Sequence, residues 1–419
     1  MCGMSEMTSH PHTSRVSSPA TARPRLSRRG AVEPFHVMEI LKAAGRRQVT
    51  HGDVIPLCVG QPSTPAPRAV REAATRAIEG EVLGYSDALG LLALREAIAE
   101  HCATAYGVAV DPGRVAVTTG SSGAFTAVFL AAFEVGDVVL MARPGYPAYR
   151  NTLGALGARV VELDCGEATG FQPTVEMLEE YAREHGAPAG LVLASPANPT
   201  GSLVPAESLA AMTRWCAEHG TLLVSDEIYH GITFDEPAHS ALEFGGDAVV
   251  VGSFSKYFSM TGWRVGWAVL PEAYVRPVEL LLGNLNICAP VVGQAAAVAA
   301  FSPEAVTELD SHVERYARNR DLLVRRLPEW GVEHLAPVDG AFYAYLDVAH
   351  LTRDSQAWCE ALLDATGVAL TPGIDFAPAD PARPRPTDGT RFVRLSFAGD
   401  TDTLAEGLDR LVAHVRSTA

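Results

Sequence analysis

Between residues 112 and 270, short apolar runs alternate with stretches of helical length. The runs are "RVAVTT" (114–119), "DVVLMA" (137–142), "ARVVEL" (158–163), "GLVLAS" (190–195), "TLLVS" (221–225), "AVVVGS" (248–253) and "RVGWAVL" (264–270). Helix-length stretches such as 205–218 lie between several of them. Continuous apolar strands separated by helices predict a mostly parallel sheet covered on both faces. That is an α/β architecture. After Pro271 the rhythm stops, and helical patterns run to about Leu327. Further on, "AFYAYLDV" (341–348) and "RFVRLSF" (391–397) predict strands and 401–416 a final amphipathic helix. This second pattern predicts a smaller α/β domain. Residues 381–389, "PARPRPTDG", read as a flexible loop.

Composition narrows the function classes. With 47% apolar residues in a chain of 419, a large core can be buried. The 33 basic residues against 49 acidic ones give a net charge of −16, which repels nucleic acid and anionic membrane surfaces. A small molecule is the expected partner. Seven scattered cysteines (Cys2, Cys58, Cys102, Cys165, Cys216, Cys288, Cys359) form no C-x-x-C pair and fit a reducing cytosol. No apolar stretch reaches the ~18–20 residues that span a bilayer, so a cytoplasmic protein is expected. The first 29 residues are rich in Ser, Thr, Pro and Arg with one acid, Glu6, and lack the apolar core of a secretory signal. They read as a disordered leader, with a transit peptide as the alternative.

Arginine supplies nearly all of the positive charge, because Lys42 and Lys256 are the only lysines. An amine can lose its proton and attack a carbonyl, which a guanidinium cannot. Lys256 closes an apolar run, in "SFSKYFSMTGWRVGW" (253–267). Ligands of open parallel sheets bind beyond the carboxyl ends of the strands. Four polar clusters fall there: "GSSG" (120–123), leading into a helix expected at 123–133, "PANPTG" (196–201), "DEIYHG" (226–231) and "SFSK" (253–256). Each alone is compatible with a turn or a cap. Together they offer a phosphate-holding helix start, a carboxylate where an unpaired charge is costly, and an imine-forming amine. These are the requirements of pyridoxal phosphate, whose protonated ring withdraws electrons from a substrate carbon.

On these motifs the sequence resembles the class I/II, fold-type I aminotransferases, from about residue 28 to 416. The S-x-S-K pattern followed by Arg264, eight residues after the lysine, is specific. The resemblance implies a large domain with a mostly parallel seven-stranded sheet flanked by helices, plus a smaller α/β domain. The expected division is a leader at 1–29, a segment at 30–62 joining the small domain, a large cofactor-binding domain at 63–302 and a small C-terminal domain at 303–419.

It also implies roles. Lys256 is expected to form the Schiff base with the cofactor and to carry the substrate's α-proton. Asp226 is expected to pair with the ring nitrogen, and Tyr229 and Asn198 with the ring oxygen. Ser121, Ser122, Ser253, Ser255 and Arg264 would hold the phosphate, and Tyr146 of "PGYPAY" would stack on the ring. Tyr85 in "LGYSDALG" would reach the phosphate of a neighbouring subunit, which implies a homodimer with shared sites. Gly60 of "CVGQP", Asn198 and Arg394 would receive the substrate carboxylate, for which a guanidinium fork is well shaped. The expected reaction is ping-pong transfer of an amino group from an L-amino acid to a 2-oxo acid. The family's dicarboxylate-selective bacterial members carry a lysine at the place of Ser122, which points away from aspartate as the main substrate.

One alternative shares nearly all of these residues, a C–S β-lyase acting on cysteine conjugates, which would release pyruvate and ammonia without an acceptor. A regulator that senses the cofactor would need a DNA-binding module, for which 29 residues are too few. No metal site is expected, since His230 and His239 read as polar surface. Neither a G-x-S-x-G elbow nor a dinucleotide fingerprint occurs.

Overall fold

The computed structural model describes residues 26–418, Gly246 excepted. The expected leader lies outside the described residues as far as position 25. Each of the seven apolar runs forms a strand: β1 (Val115–Thr118), β2 (Val138–Arg143), β3 (Arg159–Asp164), β4 (Gly190–Ala194), β5 (Leu222–Asp226), β6 (Val249–Ser253) and β7 (Gly266–Val269). They make one sheet in the order β1-β7-β6-β5-β4-β2-β3. Successive residues face opposite cores. Val115, Val117, Leu191, Leu193 and Val250 pack on one side, and Ala116, Val192, Val249 and Val251 on the other. Burial on both faces is why these strands carry no polar alternation.

β7 runs antiparallel to both of its neighbours. The link from Ser253 to Gly266 contains only a short 3-10 turn at Thr261–Trp263. A parallel return usually runs through a helix, and this link, with no α-helix in it, turns back on itself. That turn carries Lys256.

Helices α1 (His36–His51), α2 (Arg68–Gly80), α3 (Leu92–Tyr106), α4 (Gly120–Ala132) and α5 (Pro147–Leu156) precede β3 in the chain. Helix α4 begins three residues earlier than expected, so "GSSG" forms its first turn instead of leading into it. Gly120, with φ +67°, makes that entry, and Gly266 lets β7 pass beneath it, since a Cβ there would lie 2.6 Å from the Ser121 nitrogen.

A second, antiparallel sheet is built from β8 (Tyr343–Asp347), β9 (Thr371–Pro372) and β10 (Phe392–Ser396), ordered β8-β10-β9. Its core joins Leu346, Val393 and Leu395 to Leu408 and Leu411 of the helix Thr401–Thr418. Ile40 and Ala44 of α1 belong to the same core, so the N-terminal helix packs with the C-terminal sheet. Among the described residues, no helix is long and apolar enough to cross a membrane.

Candidate active site

The carboxyl ends of β1, β4, β5 and β6 meet β8, β10 and α1 around a cavity of about 340 Å³. Asp226 ends β5, where its buried carboxylate accepts from the Tyr149 hydroxyl and from the Ile228 amide at 3.1 Å. Burial pushes this carboxyl up to about 6 against the pull of both donors. Lys256 donates from Nζ to the Gly60 carbonyl at 2.6 Å. The cavity opens onto its side chain, yet the protein around the amine strips it of water. Desolvation first, and the charge of Arg394 second, lower it to about 8.

Arg394 sits in the middle of β10 with its guanidinium committed on two sides. Nη1 donates to Asn198 Oδ1 at 2.8 Å, and Nη2 to the Cys58 carbonyl at 2.8 Å and the Thr371 hydroxyl at 3.3 Å. Buried Nε has no partner. The guanidinium carbon lies 4.3 Å from the Tyr343 ring centre and 4.9 Å from that of Phe376. At the other end of the cavity, the Arg264 guanidinium crowds the start of α4 so closely that a Cβ on Gly120 would meet it. Its Nη1 donates to the Thr261 carbonyl at 3.0 Å and reaches the Ser255 hydroxyl at 3.5 Å. A helix start is a positive pole, so two like poles face each other here, the donor set of an anion site.

Gly60, Ser121, Ser122, Tyr146, Asn198, Asp226, Tyr229, Lys256, Arg264 and Arg394 thus line one cavity. Three of the expected residues do not. Ser255 touches the cavity only through Arg264. Ser253 faces a neighbouring cavity, and its hydroxyl accepts the Ser255 amide at 3.1 Å. Tyr85 is 83% exposed on the outer surface.

Other lining residues had gone unnoticed. Tyr149 stands three positions after Tyr146 on the same helical face, a spacing visible in "PGYPAY" once a helix starting at Pro147 is known. Tyr343 places its hydroxyl 2.7 Å from that of Tyr229. Helix α1 contributes an apolar wall of Val37, Met38 and Leu41. The Asp375 carboxylate anchors that helix by accepting the amides of His36 and Val37 at 2.9 and 3.0 Å.

Residues 226–230 form a partition. Asp226 and Tyr229 face the cavity, while Glu227 and His230 line a second one of about 250 Å³ behind it. His230 bonds the Tyr106 hydroxyl at 2.8 Å and the Ser195 carbonyl at 3.0 Å. Glu227 accepts from Ser225 and from the Ala241 amide, both at 2.9 Å, and burial pushes it up to about 7.

The Tyr149 bond yields a stability prediction. A hydrogen bond to a charged group contributes about 1.5–3 kcal/mol, and Asp226 is charged only above about pH 6. Tyr149→Phe is therefore expected to lower thermal stability more at pH 8 than at pH 5. Equal losses at the two pH values would mean that the hydroxyl does not serve the ionised carboxylate.

A family model described as aminotransferase class I and II matches residues 52–411. The chain is 50% identical over 389 residues to a protein named valine–pyruvate aminotransferase from Mycobacterium tuberculosis, covering 92% of this chain and 97% of that one. It superposes on the crystal structure of an aminotransferase from Mycobacterium tuberculosis with a TM-score of 0.89 at 49% identity, over 94% of this chain and all (100%) of the other. The aspartate aminotransferase of Thermus thermophilus, solved with maleate, gives a TM-score of 0.86 at 31% identity, over 93% of this chain and 100% of its own.

Proposed function

The chain belongs to the class I and II aminotransferase family, and on that premise we propose how its site works and which substrates it takes. It is a transaminase, moving an amino group from an amino acid to a 2-oxo acid. The cofactor we assign is pyridoxal phosphate, and the residues present fit it. Arg264 against the start of α4 suits a phosphate, which relieves the opposition of two positive poles. Ser121, Ser122 and Ser255 stand beside them as hydroxyl donors, while Ser253 holds the Ser255 amide. Buried Asp226 suits a protonated ring nitrogen, Tyr146 a ring face, and Asn198 and Tyr229 a ring oxygen. When bound, the cofactor supplies a carbonyl carbon for amine condensation and an electron-poor ring.

The chain's own residues do the rest. Lys256 Nζ, brought near pH 8, is neutral often enough to accept a proton from the substrate α-carbon and acidic enough to return it. Asp226 holds a negative charge where a positive one must persist. Arg394 lines the cavity and would meet the substrate carboxylate with its guanidinium, and Gly60 leaves room beside it because any Cβ would strike the Tyr343 hydroxyl. The observation that carries this reading is the convergence of Lys256, Asp226 and Arg394 in one cavity.

The side-chain end of the site is apolar. Val37, Met38 and Leu41 form its wall, and the cationic side chains lining the cavity are Lys256, Arg264 and Arg394, all with work elsewhere. Among the described residues lining the cavity, no further cation is there for a second carboxylate. Branched aliphatic amino acids such as valine, with pyruvate as acceptor, fit this wall and agree with the name of the Mycobacterium tuberculosis relative. We further assign a homodimer. Exposed Val82, Leu83 and Tyr85 and exposed Leu285 and Ile287 flank the contact between Gly283 and Ala88, an apolar surface suited to a second copy. Tyr85 would then complete the partner's phosphate site.

The test is an absorbance titration of the purified holoenzyme with single L-amino acids, without acceptor, followed by product analysis. Valine is expected to change the cofactor spectrum and release one oxo acid per site, while aspartate reacts far more slowly. Pyruvate and ammonia accumulating from a cysteine conjugate, with no such half-reaction for any amino acid, would overturn the reading.

A further inference from the structure

Tyr343 stands where the contacts between the two ends of the cavity cross. It is buried on β8, with its hydroxyl 2.7 Å from that of Tyr229 and its ring centre 4.3 Å from the Arg394 guanidinium carbon. In register, Tyr345 lies opposite Arg394 and Tyr343 opposite Ser396, which makes Tyr343 and Arg394 diagonal neighbours. The hydroxyl fills the space that a Cβ on Gly60 would need. The Gly60 carbonyl in turn receives the Lys256 amine. One side chain thus touches Tyr229 near the amine, Gly60 whose carbonyl accepts the amine's hydrogen bond, and the carboxylate-binding arginine.

We propose that Tyr343 is a positioning residue that couples the two ends of the site: its hydroxyl orients that of Tyr229, and its ring face holds the Arg394 guanidinium. The inference rests on the roles assigned above to Tyr229, Lys256 and Arg394.

Two hydroxyls at hydrogen-bond distance share one proton along the line between them. When Tyr343 is the donor, the proton of Tyr229 is free to point at a bound oxygen, and the bond behind it makes Tyr229 a stronger donor. Burial raises both phenols above their ordinary range, so both stay protonated at working pH. The other titratable groups near Tyr229 are Arg394, Tyr146 and Lys256, whose Nζ lies 5.6 Å from the Tyr229 ring centre. Asp226 lies three residues before it in the chain. Tyr343 differs from all of these in bonding the Tyr229 hydroxyl directly. On the Arg394 side, a cation over an aromatic face is attracted to it, most strongly when water is excluded. With Nη1 and Nη2 held by hydrogen bonds and the Tyr343 ring against it, the orientation of the guanidinium is fixed before any substrate arrives.

The experiment compares Tyr343→Phe with Tyr343→Leu in the holoenzyme. Phenylalanine keeps the ring and drops the hydroxyl. A donor that stabilises an ionised cofactor oxygen lets the neighbouring proton leave at lower pH, so its weakening moves that titration up. The expected shift in the pH titration of the cofactor's absorbance is about half a pH unit, the size one net hydrogen bond supports. KM for the oxo acid stays within about twofold, because the ring face remains. Adding Tyr343→Phe to Tyr229→Phe is expected to give no further shift. Leucine removes the ring as well, and KM for both substrates is expected to rise by about tenfold. An unchanged titration in Tyr343→Phe, or an unchanged KM in a folded Tyr343→Leu, would overturn the proposal. Should the leucine variant fail to fold by circular dichroism, Tyr343→Met takes its place under the same criterion. A wild-type spectrum indifferent to every amino acid strikes instead at the functional reading on which the proposal rests.

Discussion

Lys256→Ala is expected to fold, to retain cofactor through the phosphate contacts, and to lose transamination by at least about 10⁴-fold, the upper range for a positioned acid or base. The expectation is this large because nothing can replace the amine. Lys42, the only other lysine, lies on the exposed face of α1 and is paired with Glu39 at 2.7 Å. Arg394 and Arg264 cannot lose a proton. The loss of Nζ also frees the Gly60 carbonyl, which the open cavity leaves within reach of water. The check is turnover of the purified variant beside its circular dichroism and its cofactor content after dialysis. Wild-type turnover would place the nucleophile elsewhere. Loss of fold together with activity would leave Lys256→Gln, which keeps a donor on a side chain one bond shorter, as the deciding variant.

Asp226→Asn separates chemistry from stability in opposite directions. Its turnover is expected to fall by about 10²–10³-fold, as for removal of one preorganised charged partner, with little change in cofactor retention. The cofactor-free protein, however, should become more stable above pH 6. A carboxyl raised from 3.8 to about 6 binds its proton more tightly folded than unfolded. Its ionised form therefore opposes folding: the penalty is absent below pH 4, grows between 4 and 6, and is complete above 6. A shift of this size corresponds to about 3 kcal/mol. The Tyr149 hydroxyl can still donate to the amide oxygen of asparagine, so the bond network survives. Thermal midpoints of both apoproteins at pH 4 and pH 8 test this. A variant less stable than wild type at pH 8 would mean that Asp226 is not held at a cost, and undiminished turnover would remove it from the ring nitrogen.

The strands were legible because each is buried on both faces, so their sequence shows unbroken apolar runs that little else produces. The direction of β7 was hidden, since direction depends on the length and content of the link after Ser253 and not on the run itself. The early start of α4 was hidden for a different reason. Glycine and serine at 120–123 favour a turn by local preference, and only the packing of β7 beneath them draws them into the helix. In the site, the chemistry-bearing residues could be read because motifs carry them. Tyr343 could not, because "AFYAYLDV" shows a strand without telling which neighbour its residues meet. Tyr149 stayed unread because its partner Asp226 is 77 residues away.

The partition at 226–230 separates what substrates see from what they do not. Glu227 and His230 line only the rear cavity, yet Glu227, next to Asp226 in the chain, raises the proton affinity of that carboxylate whenever it is itself ionised. Substitutions at these rear positions can therefore retune the enzyme's working pH while every atom lining the substrate pocket keeps its identity. For evolution or for an engineer, the acidity optimum becomes adjustable from the rear face of five consecutive residues, apart from the α1 wall that would meet the substrate side chain.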